Sequence, residues 1–295
     1  MRYLFGILSA ACLCFMLGIS HVSAQDEAVG PPRQPAARPI TPPALPPNLP
    51  PQISSQQGQI PTPKTAYKVT HTYPHDNRAF TQGLLFHDGV LYEGTGQYNE
   101  SRIRRVEIET GRVLKEWPYP NQLFGEGLTL FGDYLLAISW RSGVGLVLER
   151  ESLKLRAQFN YKGQGWGLTD DERFIYMTNG SSKIFVRDPR NFEIVRTINV
   201  TDQGRAIVKL NELEWIEGEI WANVWKENRI ARIDPQTGRV KSWLILGDLA
   251  RKTKGANLVN NVLNGIAYDP KTQRVFVTGK YWPNMYELEI ADLKQ

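Results

Sequence analysis

The sequence predicts an all-β protein, a five-bladed β-propeller. Three observations carry this. A short motif recurs five times in phase, a tight-turned strand pair follows each copy, and no long segment of helical periodicity competes. The copies are Phe80-Thr81-Gln82-Gly83-Leu84, Phe124-Gly125-Glu126-Gly127-Leu128, Gly165-Trp166-Gly167-Leu168, Leu210-Asn211-Glu212-Leu213 and Leu263-Asn264-Gly265-Ile266. Their leading positions, Gln82, Glu126, Trp166, Asn211 and Asn264, lie 44, 40, 45 and 53 residues apart, about the length of one four-stranded blade.

The first unit sets the pattern. Leu84-Leu85-Phe86 turns at His87-Asp88-Gly89 into Val90-Leu91-Tyr92-Glu93-Gly94, and Asp-Gly between apolar runs is a hairpin signal. Ser101 to Ile108 alternates apolar and polar, Glu109-Thr110-Gly111 turns, and Arg112 to Trp117 makes a fourth strand. The same strand–turn–strand order follows Leu128, Leu168, Leu213 and Ile266. The fifth unit stops early, after Met285 to Ile290, while Ala66 to Tyr73 lies ahead of the first unit without a blade. That segment is expected to supply the missing outer strand and close the ring, which removes an open edge. One helical turn is expected between Leu249 and Asn261. A β-sandwich is the alternative fold, and the phase of the repeats argues against it.

The N-terminus is of another kind. Met1-Arg2 precedes an apolar run from Tyr3 to about Ile19, and Val22-Ser23-Ala24 is a small-residue cleavage site. Residues 1–24 therefore read as a secretory signal peptide, with an uncleaved membrane anchor as the alternative. The expected localisation is export to a periplasm or the outside, with membrane association only if the segment stays attached. Both cysteines, Cys12 and Cys14, fall within it, so the exported remainder has no disulfide, thiol nucleophile or cysteine-ligated zinc. Residues 25–65 are rich in Pro, Ala, Gln and Ser and read as a flexible spacer. Residues 66–295 form the propeller domain. The pI of about 9.1 reflects scattered Lys and Arg without a dense run, which argues against nucleic-acid binding.

In a propeller the start of the inner strand and the end of the second strand meet on one face. The inner-strand starts are the repeated positions. At the second-strand ends stand Trp140, Asn179-Gly180, Trp225 and Lys280. A carboxylate, a cation, amides and indoles thus converge on one mouth, the usual make-up of a small-molecule site. Each residue also has a plainer role: a lone Trp166 would be core, Asn264 would cap local backbone, and Lys280 would pair with Glu126 or Glu212. Tyr281-Trp282-Pro283 reads as rim, and Glu93 is a possible second carboxylate. The sequence has no HExxH, no paired-histidine spacing, no G-x-S-x-G elbow and no phosphate loop.

These strings resemble the plant-type glutaminyl-peptide cyclotransferases, which also occur in bacteria. The likeness is carried by the five motifs, by Tyr92-Glu93-Gly94-Thr95-Gly96-Gln97-Tyr98, by Trp221-Ala222-Asn223-Val224-Trp225 and by Thr278-Gly279-Lys280-Tyr281-Trp282-Pro283. It spans nearly all of residues 67–290. Ile138-Ser139 before Trp140 departs slightly, since threonine is expected there. The resemblance implies a five-bladed propeller that converts the N-terminal glutamine of peptides or proteins to pyroglutamate and releases ammonia. It implies Glu126 as proton shuttle, with Gln82 and Lys280 also catalytic and Phe80, Trp140, Trp166, Asn211 and Trp225 binding substrate. No cofactor is expected for catalysis, although the channel of such proteins can hold a metal ion, whose ligands the sequence does not identify. The oxyanion donor is Gln82, Lys280 or an indole N–H. The chain is expected to act as a monomer. The rival readings are an exported propeller that binds a peptide N-terminus or small ligand without turning it over, a scaffold working through its rim and Pro-rich arm, and a lactonase-like propeller, for which acidic metal ligands are too few.

Overall fold

The computed structural model describes residues 60–253 and 260–293. They form five four-stranded antiparallel sheets, one small two-stranded ribbon at Thr201–Asp202 and Arg205–Ala206, and one short helix, Gly247–Lys252. The five-bladed all-β prediction holds. The expected helical turn starts just before Leu249. The proposed signal segment and most of the spacer lie outside the described residues.

Blade one runs Thr81–His87, Val90–Thr95, Arg102–Glu107 and Arg112–Pro118 from the channel outward. Blades two, three and four begin with inner strands Gly125–Phe131, Leu168–Asp170 and Leu210–Ile216. Blade five is built from Leu263–Asp269, Arg274–Gly279 and Asn284–Ile290, and its outer strand is Tyr67–Pro74, antiparallel to Asn284–Ile290. The ring thus closes between chain ends as expected. Burial falls from the channel outward: the inner strand of blade one is buried almost throughout, whereas its outer strand is mostly exposed. Apolar residues gather at the seams between blades, for example Leu136, Ile138, Leu168 and Ile175 between blades two and three.

The recurring motif has a mechanical explanation. In blades one, two, four and five the inner-strand register shifts at the motif itself, between Thr81 and Gly83, Gly125 and Leu128, Leu210 and Leu213, and Leu263 and Ile266. A bulge re-aims the side chain it carries, and the residues in these bulges include Gln82, Glu126, Asn211 and Asn264. The small residue that follows is a seam. A Cβ on Gly127 would stand 2.6 Å from the backbone nitrogen of Leu168 in the next blade, so any side chain there would force the inner strands apart.

Residues 60–65, which precede the expected boundary at residue 66, contact the propeller. Trp243 N donates to Pro63 O and Thr65 N donates to Trp243 O, both at 2.9 Å. Thr62 donates to Asp202 and Gln203 donates to Ile60 O. These contacts fasten residues 60–65 to the outer edge of blade four.

Candidate active site

A cavity of about 240 Å³ opens at the channel end where the inner strands start, lined by Phe80, Gln82, Gln97, Phe124, Glu126, Trp140, Trp166, Asn211, Trp225, Asn260 and Lys280. All eight residues expected from the sequence therefore share one cavity. Its size is below the about 300–1,000 Å³ of pockets for drug-sized ligands, which suits a single side chain.

One backbone bond explains the convergence. The residue two before Glu126, Asn211 and Asn264 accepts from the residue just past the second strand: Phe124 O from Trp140 N, Lys209 O from Trp225 N and Val262 O from Lys280 N, each at 2.9 Å. Trp140, Trp225 and Lys280 are thus equivalent positions on three blades, all held beside the bulges. Trp166 comes from an inner-strand start and meets Trp225 edge-on, with ring centroids 5.7 Å apart. Its ring lies against Gly180 (φ +80°), where a Cβ would come within 2.6 Å of the indole.

Glu126 is 4% exposed and has no hydrogen-bond partner among the described residues. Burial pushes its carboxyl well above the usual carboxylate range, with Lys280 pulling back. Lys280 is 3% exposed, and burial brings it down to about 8 against the opposing pull of Glu126. The ion pair with Glu126 or Glu212, its plainer role, is not among the contacts of the described residues. Lys280 Nζ instead sits 4.3 Å from the centroid of Phe80, because a cation in an apolar mouth finds the ring face its nearest negative surface. Asn211 Oδ1 is buried and has no partner among the described residues, an open acceptor in the wall. Asn264 stays behind that wall: its amide nitrogen donates to Thr81 O at 2.9 Å and reaches Gln82 Oε1 at 3.5 Å. With its oxygen turned to Asn264, Gln82 presents its NH₂ as a donor.

Three expectations need correction, and one plainer role falls away. Trp282 is not rim; it is fully buried in the core between blades four and five, with Trp221. Asn179 does not reach the mouth, because its side-chain oxygen accepts from Ser181 N and Oγ. Glu93 faces away, binding His75 Nε2 at 3.0 Å and Thr81 Oγ1 at 2.8 Å, with Arg104 3.8 Å off. The plainer role falls away because Lys280 pairs with no carboxylate among the described residues, as above. Reading from sequence also missed Phe124, Gln97 and Asn260. Phe124 could have been found, since it stands two before Glu126 as Phe80 stands two before Gln82. Gln97 and Asn260 lie on loops outside the repeat and carry no such signal.

Among the described residues no three His, Cys, Asp or Glu side chains gather to hold a cation. Glu212, the other carboxylate of the motifs, already accepts Leu84 N at 3.3 Å and Ile266 N at 2.9 Å. The side chains present therefore do not make up a carboxylate cage for a channel metal. The opposite channel end holds a larger cavity, about 480 Å³, at Phe86, Asp170, Glu214 and Trp215. Two of its acids are engaged: Asp170 accepts from Thr129 and Glu214 from Tyr268 N.

The fold and the mouth define a class: a closed five-bladed propeller whose channel end carries an aromatic-walled cavity with a buried carboxyl. Comparison narrows the class. A family model described as glutamine cyclotransferase matches residues 48–290. A glutaminyl-peptide cyclotransferase of Arabidopsis thaliana is 39% identical over 226 residues, covering 76% of this chain and 71% of the relative. The crystal structure of Myxococcus xanthus glutaminyl cyclase matches with a TM-score of 0.73 at 31% identity, covering 77% of this chain and 97% of that one. The chain belongs to the glutamine cyclotransferase family.

Proposed function

We propose that the Glu126 mouth is where this protein acts as a glutaminyl-peptide cyclotransferase, closing the N-terminal glutamine of peptides or proteins to pyroglutamate with release of ammonia. Family membership supports the activity. The observation that supports the site is Glu126 itself, a buried carboxyl without a hydrogen-bond partner among the described residues, opening into a cavity of one-residue size.

The neutral α-amine attacks Cδ of its own side chain, so one N–C bond forms and the carboxamide C–N bond breaks. Because the reaction is intramolecular, holding the ring-closing conformer removes much of the barrier. Trp140, Trp166, Trp225 and Phe124 wall the side chain and exclude water. Asn211 Oδ1 accepts from the amine or the carboxamide NH₂. The Gln82 NH₂ and the Lys280 ammonium stabilise the oxyanion. Glu126 takes the proton that the amine loses and delivers it to the departing nitrogen, which leaves as ammonia. Its raised pKa suits both halves of that transfer. We further propose export for the chain, on the strength of residues 1–24.

The test is ammonia release from a Gln-initiated peptide, with Glu126→Gln beside the natural protein. The variant is expected to keep its circular dichroism spectrum and lose about 10²–10⁴-fold in kcat. A folded variant with natural turnover removes Glu126 from the chemistry. A folded natural protein that binds the peptide without consuming it supports the binding-propeller reading.

A further inference from the structure

Gln164 stands two residues before Trp166, at the repeat position that Phe80 holds before Gln82 and Phe124 before Glu126. Those two phenylalanines line the cavity. Blade three has a carboxamide there instead, and the difference has a geometric counterpart. Gln164 Oε1 accepts the indole N–H of Trp140 at 2.9 Å and that of Trp166 at 3.1 Å. A carbonyl oxygen has two lone pairs, so one glutamine can hold both donors at once. The two indoles belong to neighbouring blades, and this shared oxygen spans the seam between them. Gln164 is itself exposed and is not part of the cavity lining.

A tryptophan on a channel mouth can rotate about two side-chain torsions, and ring contacts alone are weakly directional. Trp140 packs on Phe124 with centroids 5.5 Å apart, and Trp166 on Trp225. Neither contact decides which edge of the indole faces the cavity. The Gln164 bonds do, because they anchor both N–H edges to one point outside the lining.

We propose that Gln164 is a positioning residue for the cyclisation: it sets the Trp140 and Trp166 indoles so that their carbon faces, rather than their N–H edges, meet the substrate glutamine. The inference rests on the mouth being the catalytic site. It carries a chemical consequence. With both N–H groups committed to Gln164, neither indole donates to the oxyanion, and that task falls to Gln82 and Lys280. Gln164 then acts on how well the glutamine side chain is held, so its loss raises KM more than it lowers kcat.

Two variants test this. Gln164→Leu keeps the bulk and removes the acceptor; Gln164→Glu keeps an acceptor oxygen. Each is measured by ammonia release from a Gln-initiated peptide and, without substrate, by indole ¹H–¹⁵N spectra of ¹⁵N-tryptophan-labelled protein, with Trp140→Phe and Trp166→Phe used for assignment. The leucine variant is expected to raise KM about tenfold, in line with the loss of ordinary hydrogen bonds, and to shift both indole resonances. The glutamate variant is expected to restore both readouts. A leucine variant with natural KM overturns the proposal, whether or not the resonances move, and so does a glutamate variant no better than leucine. If the natural protein releases no ammonia, the cyclotransferase reading falls by itself, and unmoved indole resonances in the leucine variant would separately dismiss the bonds to Gln164.

Discussion

Glu126 and Glu212 are two glutamates of the same repeating motif, one place apart in their blades, and they teach different lessons. Both are buried, and burial pushes both well above the ordinary carboxylate range. Glu212 stands where other blades have glycine. It reaches across the channel, where its two oxygens accept Leu84 N from blade one and Ile266 N from blade five. Glu126 sits in a bulge that turns it to the cavity, and it accepts nothing among the described residues. A perturbed carboxyl is therefore not by itself a catalyst. The one whose lone pairs are already occupied is a tie between blades, and the one left open is the carboxyl proposed to carry a proton.

Several substitutions can break or sharpen that contrast. The largest effect is expected at Glu126→Gln, the loss of turnover given above; Glu212→Gln should leave kcat within about twofold, since Glu212 touches no cavity residue's chemistry. A comparable collapse of kcat in a folded Glu212→Gln would erase the distinction. Next comes stability. Glu212→Ala leaves two buried N–H groups unpaired at about 1–3 kcal/mol each, so urea unfolding should show a loss on the order of 2–6 kcal/mol, against little or none for Glu126→Gln. An unchanged midpoint for Glu212→Ala would mean that water replaces the carboxylate.

The third test uses pH. Lys280 holds the Glu126 carboxyl lower than burial alone would, so Lys280→Met should push its ionisation up and move the acid limb of kcat/KM to higher pH. The same variant should lose an alkaline limb near the Lys280 value of about 8. Limbs that stay in place would assign the titration to other groups. The smallest effect is a stability slope. A carboxyl raised in the folded state binds its proton more tightly there than in the unfolded chain. Stability therefore falls as pH rises from about 4.3, the unfolded value, up to the raised folded one. Glu126→Gln should remove that share of the decline, read as a flatter melting temperature between pH 5 and pH 8; an identical slope would count against a raised Glu126.

The repeat phase made the fold and the mouth legible before any coordinates, because one backbone geometry, bulge then seam, forces one residue pattern on every blade. Glu126, Gln82, Asn211, Trp140, Trp225 and Lys280 were found because they hold repeat positions. What escaped detection obeys other rules. Trp282 looks like rim in a Tyr-Trp-Pro string, yet it folds back into the seam between blades four and five, where it joins a core cluster drawn from both blades, Trp221 and Leu263 among them, and meets Tyr286 edge-on. Glu93 sits on a second strand, where direction follows from pleat and partner, and His75 and Arg104 draw it off the mouth. Gln97 and Asn260 come from loops with no periodicity to read.

The last blade is shared between the two ends of the chain: Tyr67 lies opposite Ile290, and Pro74 opposite Asn284. During synthesis the strand at 67–74 is made first and paired last, so it waits through the growth of all five units before its neighbour exists. Ring closure spans more than 200 residues, a contact that chain entropy makes slow. Until it forms, blade five presents an unpaired edge. A nascent or truncated chain lacking either terminal strand is thus an open ring with a strand edge bare to other molecules, the surface on which such intermediates aggregate. The seam that completes the molecule is also the step at which its production is most exposed to failure.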